Sequence, residues 1–287
     1  KVGIVAGGGS GHEPFWLGYV GKGMLDAAVV GPIFSSPTPN QAYEATKAVD
    51  GGAGVLYILG NYSGDKMNFG MGAEMARADG TIVDIVQVTD DVASAPRDRI
   101  NDRRGIAGNI LVFKIAGAKA EEMAELEEVK AVAENVNANL RTMGIALSPC
   151  TIPAVRKPHF TLEEDEMELG MGIHGEPGIE RTKLRPADEV TELLVAKIIK
   201  DLPFSKGDEA AVMVNGLGAT PLIELLIVYR KLNHVLKDFG VKIFRSYIGN
   251  YCTSLEMAGC SITLLRLDEE LKRFLDTPAS APYFTQR

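Results

Sequence analysis

Short apolar runs alternate with longer stretches of helical spacing through the first half of the chain. Residues 1–6, 24–30, 54–59 and 82–88 are compact apolar segments, several rich in Val and Ile, and predict strands. Between and after them, residues 41–49, about 65–78 and about 107–116 carry apolar positions at helical intervals and predict helices. Residues 121–143 keep a polar–apolar helical pattern throughout and predict one long helix. The glycines at 7–9 and 11 read as a turn leaving the first strand. Strand–helix alternation of this kind predicts a largely parallel sheet with helices on its faces.

Residues 151–182 break the rhythm, with several prolines and glycines and the acidic run Glu163-Glu164-Asp165-Glu166, and read as a loop-rich functional connection. A second unit follows: a helix at 187–201, a strand at 210–214, a turn at 215–218, a helix at 221–239, and strands at 241–248 and 261–265. The expected fold class is therefore α/β: two α/β domains, 1–145 and 146–287, each a mostly parallel or mixed sheet flanked by helices.

Composition narrows the function. A chain of 287 residues with 46% hydrophobic and 24% charged residues describes an ordinary globular protein. A net charge of −8 opposes nucleic-acid binding, and Arg97, Arg99, Arg103 and Arg104 alternate with Asp98 and Asp102 rather than forming a basic stripe. No apolar run is long enough to cross a bilayer. Cys150, Cys252 and Cys260 lack metal-ligand spacing, which predicts reduced thiols and a cytoplasmic location. Residue 1 falls directly on a strand, which suggests that an N-terminal segment precedes it.

Open α/β sheets bind ligands at the carboxyl ends of their strands, and three glycine-rich turns meet that description. They lie at 7–14 (GGGSGHEP), 60–65 (GNYSGD) and 170–178 (GMGIHGEPG). Each alone has a bland reading: helix-on-strand packing for the first, a helix cap for Asp65, a hydrogen-bonded loop histidine for His174. His159 and His234 receive only that reading. What singles out His12 and His174 is that both are set in glycine and both stand close to a Glu-Pro. Two imidazoles and a carboxylate suit acid–base or covalent chemistry. A metal site would want a third ligand at short helical spacing, and none is present, so no metal is expected.

Taken in order, these stretches resemble the dihydroxyacetone kinase family. The resemblance is carried by GGGSGHEP at 7–14, GKGMLD at 21–26, SPTP at 36–39, NYSGD at 61–65 followed by MNF, and RRGIAG at 103–108. DEMELGMGIHGEP at 165–177, NGLGATPLIE at 215–224 and YCTSLEMAG at 251–259 continue it nearly end to end. The chain is similar to that family's substrate-binding subunit. The resemblance implies that His174 holds a short ketose as a covalent hemiaminal and that His12 hydrogen-bonds it and helps proton transfer. It implies that Asp65 is the base for the hydroxyl that accepts phosphate, and that Gly9, Ser10, Gly11 and Gly60 lie against the substrate. It further implies no cofactor on this chain. ATP or ADP with Mg²⁺ would sit on a nucleotide-binding partner subunit, with a phosphotransferase-system protein as possible donor, and the chain would form a homodimer.

One departure stands out. Many family members have lysine before the NYxGD motif, where this chain has Gly60. Losing a charge-assisted donor there costs roughly 1.5–3 kcal/mol and enlarges the pocket. Phe15 and Trp16 follow the first Glu-Pro, where many relatives have smaller or more polar residues. Together these changes suggest a four-carbon ketose such as erythrulose. The rival readings are a ketose-sensing transcriptional co-activator and, more remotely, a metal-dependent hydrolase built on His12, Asp65 and His174.

Overall fold

The computed structural model describes residues 1–287 and resolves into two compact units. The first comprises residues 1–88, 109–138 and 269–287; the second comprises 89–108 and 139–268. A single boundary after residue 145 does not describe them. The chain passes between the units repeatedly, because its middle strand pairs with the second unit's sheet and its C-terminal helix packs in the first.

In chain order, the first segment forms β1 (Gly3–Ser10), β2 (Ala27–Ile33), α1 (Pro39–Val49), β3 (Val55–Gly60), α2 (Ser63–Ala78) and β4 (Val83–Val88). The four strands make a parallel sheet in the order β2–β1–β3–β4. The SPTP stretch starts α1. Thr38 caps the helix by accepting from the Gln41 amide, the Gln41 side chain accepts in return from the Thr38 amide, and Pro39 occupies the first turn.

The glycine run is strand, not turn. β1 continues through Gly7, Gly8 and Gly9 to Ser10, paired with β2 from Val5 opposite Ala27 to Ser10 opposite Ile33. Glycine is required there because no side chain fits. A Cβ on Gly7 would lie 2.2 Å from the Val29 carbonyl oxygen, one on Gly8 2.7 Å from the Trp16 ring, and one on Gly9 2.5 Å from the Ser35 amide. Only at Gly11 does the backbone turn, with φ at +98°.

After residue 108 the chain forms α3 (Asn109–Glu121) and α4 (Leu126–Ala138). α3 is buried nearly all the way round, which explains why its sequence shows no polar face. The expected long helix at 121–143 is broken at both ends: α4 stops at Ala138, and Leu140 begins a fully buried strand, β5 (Leu140–Ala146). A continuous apolar run cannot be assigned to helix or strand by periodicity alone. Here pairing with a distant antiparallel strand decides it.

The second unit continues with the two-residue strands β6 (Thr151–Ile152) and β7 (Lys157–Pro158), then β8 (Glu166–Leu169), β9 (Glu180–Lys183) and α5 (Ala187–Asp201). It closes with β10 (Glu209–Gly216), α6 (Leu222–Asp238), β11 (Lys242–Gly249) and β12 (Gly259–Leu267). Its six-stranded mixed sheet has the order β11–β10–β12–β5–β8–β9, with only β10 and β11 parallel. Asn215 and Gly216, expected in a turn, are the last residues of β10.

The final segment returns to the first unit as α7 (Glu269–Asp276), β13 (Ala279–Ala281) and β14 (Phe284–Gln286), all beyond the last strand the sequence predicts. α7 buries Leu271, Phe274 and Leu275 completely. Removing three such side chains from water is worth roughly 5–9 kcal/mol before the entropy of ordering the segment. Lys114, fully buried on α3, donates to the Phe274 carbonyl at 2.7 Å. No helix is long and apolar enough to cross a membrane.

Candidate functional site

In the first unit, the carboxyl ends of the neighbouring parallel strands β1 and β3 carry the residues expected to meet substrate. β1 delivers Gly9, Ser10, Gly11 and His12. β3 ends on Gly60 and leads through Asn61 and Tyr62 into α2, whose first turn holds Asp65. The positive end of the helix dipole favours a carboxylate there. Asp65 is 7% exposed and His12 only 1%. The His12 ring stacks on Phe34, with centroids 4.9 Å apart and planes 15° apart. Phe34 is held close because its amide donates to the Ser10 carbonyl at 2.9 Å.

Phe15 and Trp16 are both buried. Their rings stack on each other at 3.7 Å, and the Trp16 indole donates to the Gly9 carbonyl at 3.2 Å. They pack beneath the side-chain-free face of β1, so their bulk answers the glycines above them rather than a ligand.

His174 lies in the second unit, on the connection between β8 and β9. That loop is anchored at both ends: the Gly170 amide donates to Gly144 at 2.7 Å, and the Gly178 amide to the Glu168 carboxylate at 2.7 Å. Ser254 donates to the Ile173 carbonyl at 2.6 Å from below. Glu176 folds back on the histidine two residues before it. One carboxylate oxygen lies 2.9 Å from His174 Nδ1 and the other accepts from the His174 amide at 3.0 Å.

Behind that pair stands Arg104. Its guanidinium bonds the Asp91 carboxylate at 2.7–2.8 Å, donates to the Gly170 carbonyl at 2.9 Å and comes within 4.0 Å of Glu176. Burial would push the Glu176 carboxyl up, but the hydrogen bond and charge of His174, with help from Arg104, hold it down at about 2. Asp91 behaves oppositely: burial pushes it up to about 6, and the adjacent guanidinium offsets only part of that.

Sequence reading reaches His12, Asp65 and His174 but misses Arg104 and Asp91, treating the former as one more interleaved charge. The RRGIAG stretch is in fact a charge clamp. Arg103 is buried against Asp201 with two hydrogen bonds, and the Ile106 and Gly108 amides donate to buried Asp90 at 2.7 and 2.9 Å. Two adjacent acids, Asp90 and Asp91, thus tie down the stretch from Arg104 to Gly108. The paired arginines before a glycine-containing turn are the only sequence trace of this. NGLGATP and YCTSLEMAG also prove architectural: Asn215 accepts from the Tyr251 and Cys252 amides at 2.8 and 2.9 Å. No group of three or more His, Cys, Asp or Glu side chains is gathered closely enough to hold a metal ion, and all three cysteines are buried and unpaired with one another.

The family model for the Dak1 domain matches residues 1–283. The chain belongs to the Dak1 family. Among relatives of this Dak1 chain, the dihydroxyacetone-binding subunit DhaK of PTS-dependent dihydroxyacetone kinase 2 from Listeria innocua serovar 6a is 52% identical over 99% of the chain and 85% of its own length. D-erythrulose kinase of Mycolicibacterium smegmatis is 45% identical over 99% of the chain, which spans only 49% of that protein. A solved structure of the dihydroxyacetone kinase operon co-activator Dha-DhaQ superposes with a TM-score of 0.94 at 34% identity, covering 100% of the chain and 89% of that structure. The family is the one the ordered motifs imply.

Proposed function

We propose that this chain is the ketose-binding subunit of a kinase and holds dihydroxyacetone, or a close short-chain ketose, on His174 for phosphorylation by a separate nucleotide-bearing subunit. The observation that carries this reading is the 2.9 Å contact between His174 Nδ1 and the Glu176 carboxylate, within a chain that matches the Dak1 model over 1–283. A neutral imidazole whose Nδ1 donates to a carboxylate presents an unprotonated Nε2.

The Nε2 lone pair forms a bond to the carbonyl carbon, and the C=O π pair moves onto oxygen, which takes a proton from solvent. The Nδ1 proton passes by way of Glu176 to solvent, replacing the one the oxygen took and leaving Glu176 ionised, so neutral ketone and neutral imidazole yield a neutral hemiaminal. An alcohol offers no such carbon, so glycerol is rejected by chemistry rather than by shape. His12 hydrogen-bonds the bound sugar, with Gly9, Ser10, Gly11 and Gly60 as its backbone cradle. Asp65 removes the proton of the hydroxyl that accepts the phosphoryl group. Nucleotide and Mg²⁺ belong to the partner, which is supplied by ATP or by a phosphotransferase-system donor; this chain works as a homodimer in the cytoplasm.

Native mass spectrometry of the protein soaked in dihydroxyacetone or glycerol tests the reading. One ketose bound covalently per chain, absent in His174→Ala and absent with glycerol, is expected; no adduct overturns it. Gly60 supports a second reading, a preference for erythrulose, since the missing lysine removes a charged donor and leaves room. Competing kinetics with both ketoses and a donor subunit decide it, and a large preference for dihydroxyacetone ends that reading. A purely sensory role, as the name of the co-activator relative suggests for that protein, predicts binding without phosphoryl transfer in the same reconstituted mixture. Retention of Asp65 argues for transfer.

A further inference from the structure

The His174–Glu176 pair has a second support, and the support is built with more care than a loop requires. Arg104 is that support. It reaches from Asp91, which is 1% exposed, across the Gly170 carbonyl to the face of Glu176. Its own backbone is fixed from both sides: the Arg104 amide donates to Ser94 Oγ at 3.0 Å, and its carbonyl accepts from the Asp91 amide at 3.1 Å. The loop makes room for this contact at one place. A Cβ on Gly172 would lie 2.1 Å from the Glu176 carboxylate and 2.4 Å from the Arg104 guanidinium, so any other residue would wedge the two apart.

A neutral imidazole exists as two tautomers, and only the one with its proton on Nδ1 leaves Nε2 free to add to a carbonyl. A carboxylate selects that tautomer by accepting from Nδ1, provided the carboxylate is itself held in place and kept ionised. Glu176 is partly exposed. We propose that Arg104, clamped on buried Asp91, is a positioning residue that fixes Glu176 against His174 and thereby sets the tautomer of the reacting ring. The proposal rests on His174 being the nucleophile only for its consequence in catalysis; the tautomer itself is a property of the ligand-free protein.

Two measurements on the full chain separate the proposal from the functional reading. Nitrogen-15 NMR of histidine-labelled protein without ketose, with the His174 signals assigned by comparison with His174→Gln, reads the tautomer directly. The wild type is expected to show the Nδ1-protonated form. Glu176→Gln and Arg104→Met are expected to show a mixture, and Arg104→Lys, which keeps the charge but not the fork, an intermediate state. Adduct formation with dihydroxyacetone is expected to slow by about tenfold in Arg104→Met, the scale of removing one charge 4.0 Å from a partly exposed carboxylate.

A purely architectural role for Arg104 would lower thermal stability without moving the nitrogen shifts. Unchanged tautomers in folded Arg104→Met and Arg104→Lys would therefore overturn the proposal. If Arg104→Met fails to fold, Arg104→Lys and Glu176→Gln carry the test, because Glu176 lies at the loop surface. A wild type with the proton on Nε2 also overturns it. A wild type with the expected tautomer but no ketose adduct leaves the positioning role standing and sinks the functional reading instead.

Discussion

The two histidines stand in nearly the same words of sequence, His12-Glu13-Pro14 and His174-Gly175-Glu176-Pro177, and the single inserted glycine separates their physics. At the first, the glutamate follows immediately and its carboxylate turns back to the backbone, with both oxygens 3.1 Å from the Gly11 amide. The His12 ring lies flat on Phe34 in a nearly sealed site. At the second, the extra residue lets the glutamate reach back and place one oxygen on Nδ1 and the other on the histidine's own amide. On the proposed reading, the carboxylate on the His174 ring readies it as a nucleophile, and the His12 ring stacked on Phe34 serves as a hydrogen-bonding wall. On that reading, one residue of spacing divides the covalent role from the supporting one.

The sharpest way to break this comparison is to delete each ring. His174→Ala should abolish the ketose adduct, whereas His12→Ala should retain it at reduced occupancy, both read by native mass spectrometry. Equal loss in both would mean the two sites are not divided in this way. Next in size, Asp65→Asn, on the His12 side, should keep the adduct and lower phosphoryl transfer with a donor subunit by about 100-fold or more, the scale of a lost general base. Near-normal turnover would remove Asp65 from that role.

On the His174 side, Asp91 should leave a mark on stability against pH. Its folded value of about 6 lies above the ordinary 3.8, so its ionised form is penalised by folding. That penalty, about 3 kcal/mol, is full above about pH 6 and is relieved as pH falls toward 4. Urea unfolding should show this component in the wild type and not in Asp91→Asn. Glu176 has the opposite sign: held at about 2, it stabilises above its ordinary value of 4.5, and that contribution disappears as pH falls from there toward 2.

Behind His12, Gly8→Ala should cost about 1–3 kcal/mol by driving a methyl into Trp16. Gly51→Ala, with nothing within 4 Å, should stay within about 0.5 kcal/mol. Glu13→Gln should also cost little, under about 1 kcal/mol, because the amide oxygen still accepts from Gly11.

Where a segment's own pattern decides its structure, the sequence is legible. α5 has the same bounds in pattern and structure, and β3, β4, β11 and α6 differ by a residue or two at their ends. Long-range pairing is what pattern cannot show. β5 reads as helix until β12 lies beside it, and Gly7–Gly9 read as a turn until Val29 and Trp16 are seen to fill the space where side chains would stand. α7 is different: Leu271, Phe274 and Leu275 are spaced at three and four residues, a signal that was there to be used. The site divides likewise. Glycine-set histidines and an acid in a helix's first turn are visible in one dimension, but the reach of Arg104 to Asp91 and Glu176 depends on loops meeting in three.

The return of residues 269–287 to the first unit carries a consequence for biosynthesis. α3 leaves the ribosome long before the helix that shields it, so its apolar surface and the ammonium of Lys114 stay without their final cover until the end of this stretch has been translated. A nascent chain paused anywhere short of Phe274 should therefore be a substrate for chaperones and proteases, however complete its β1–β4 sheet already is.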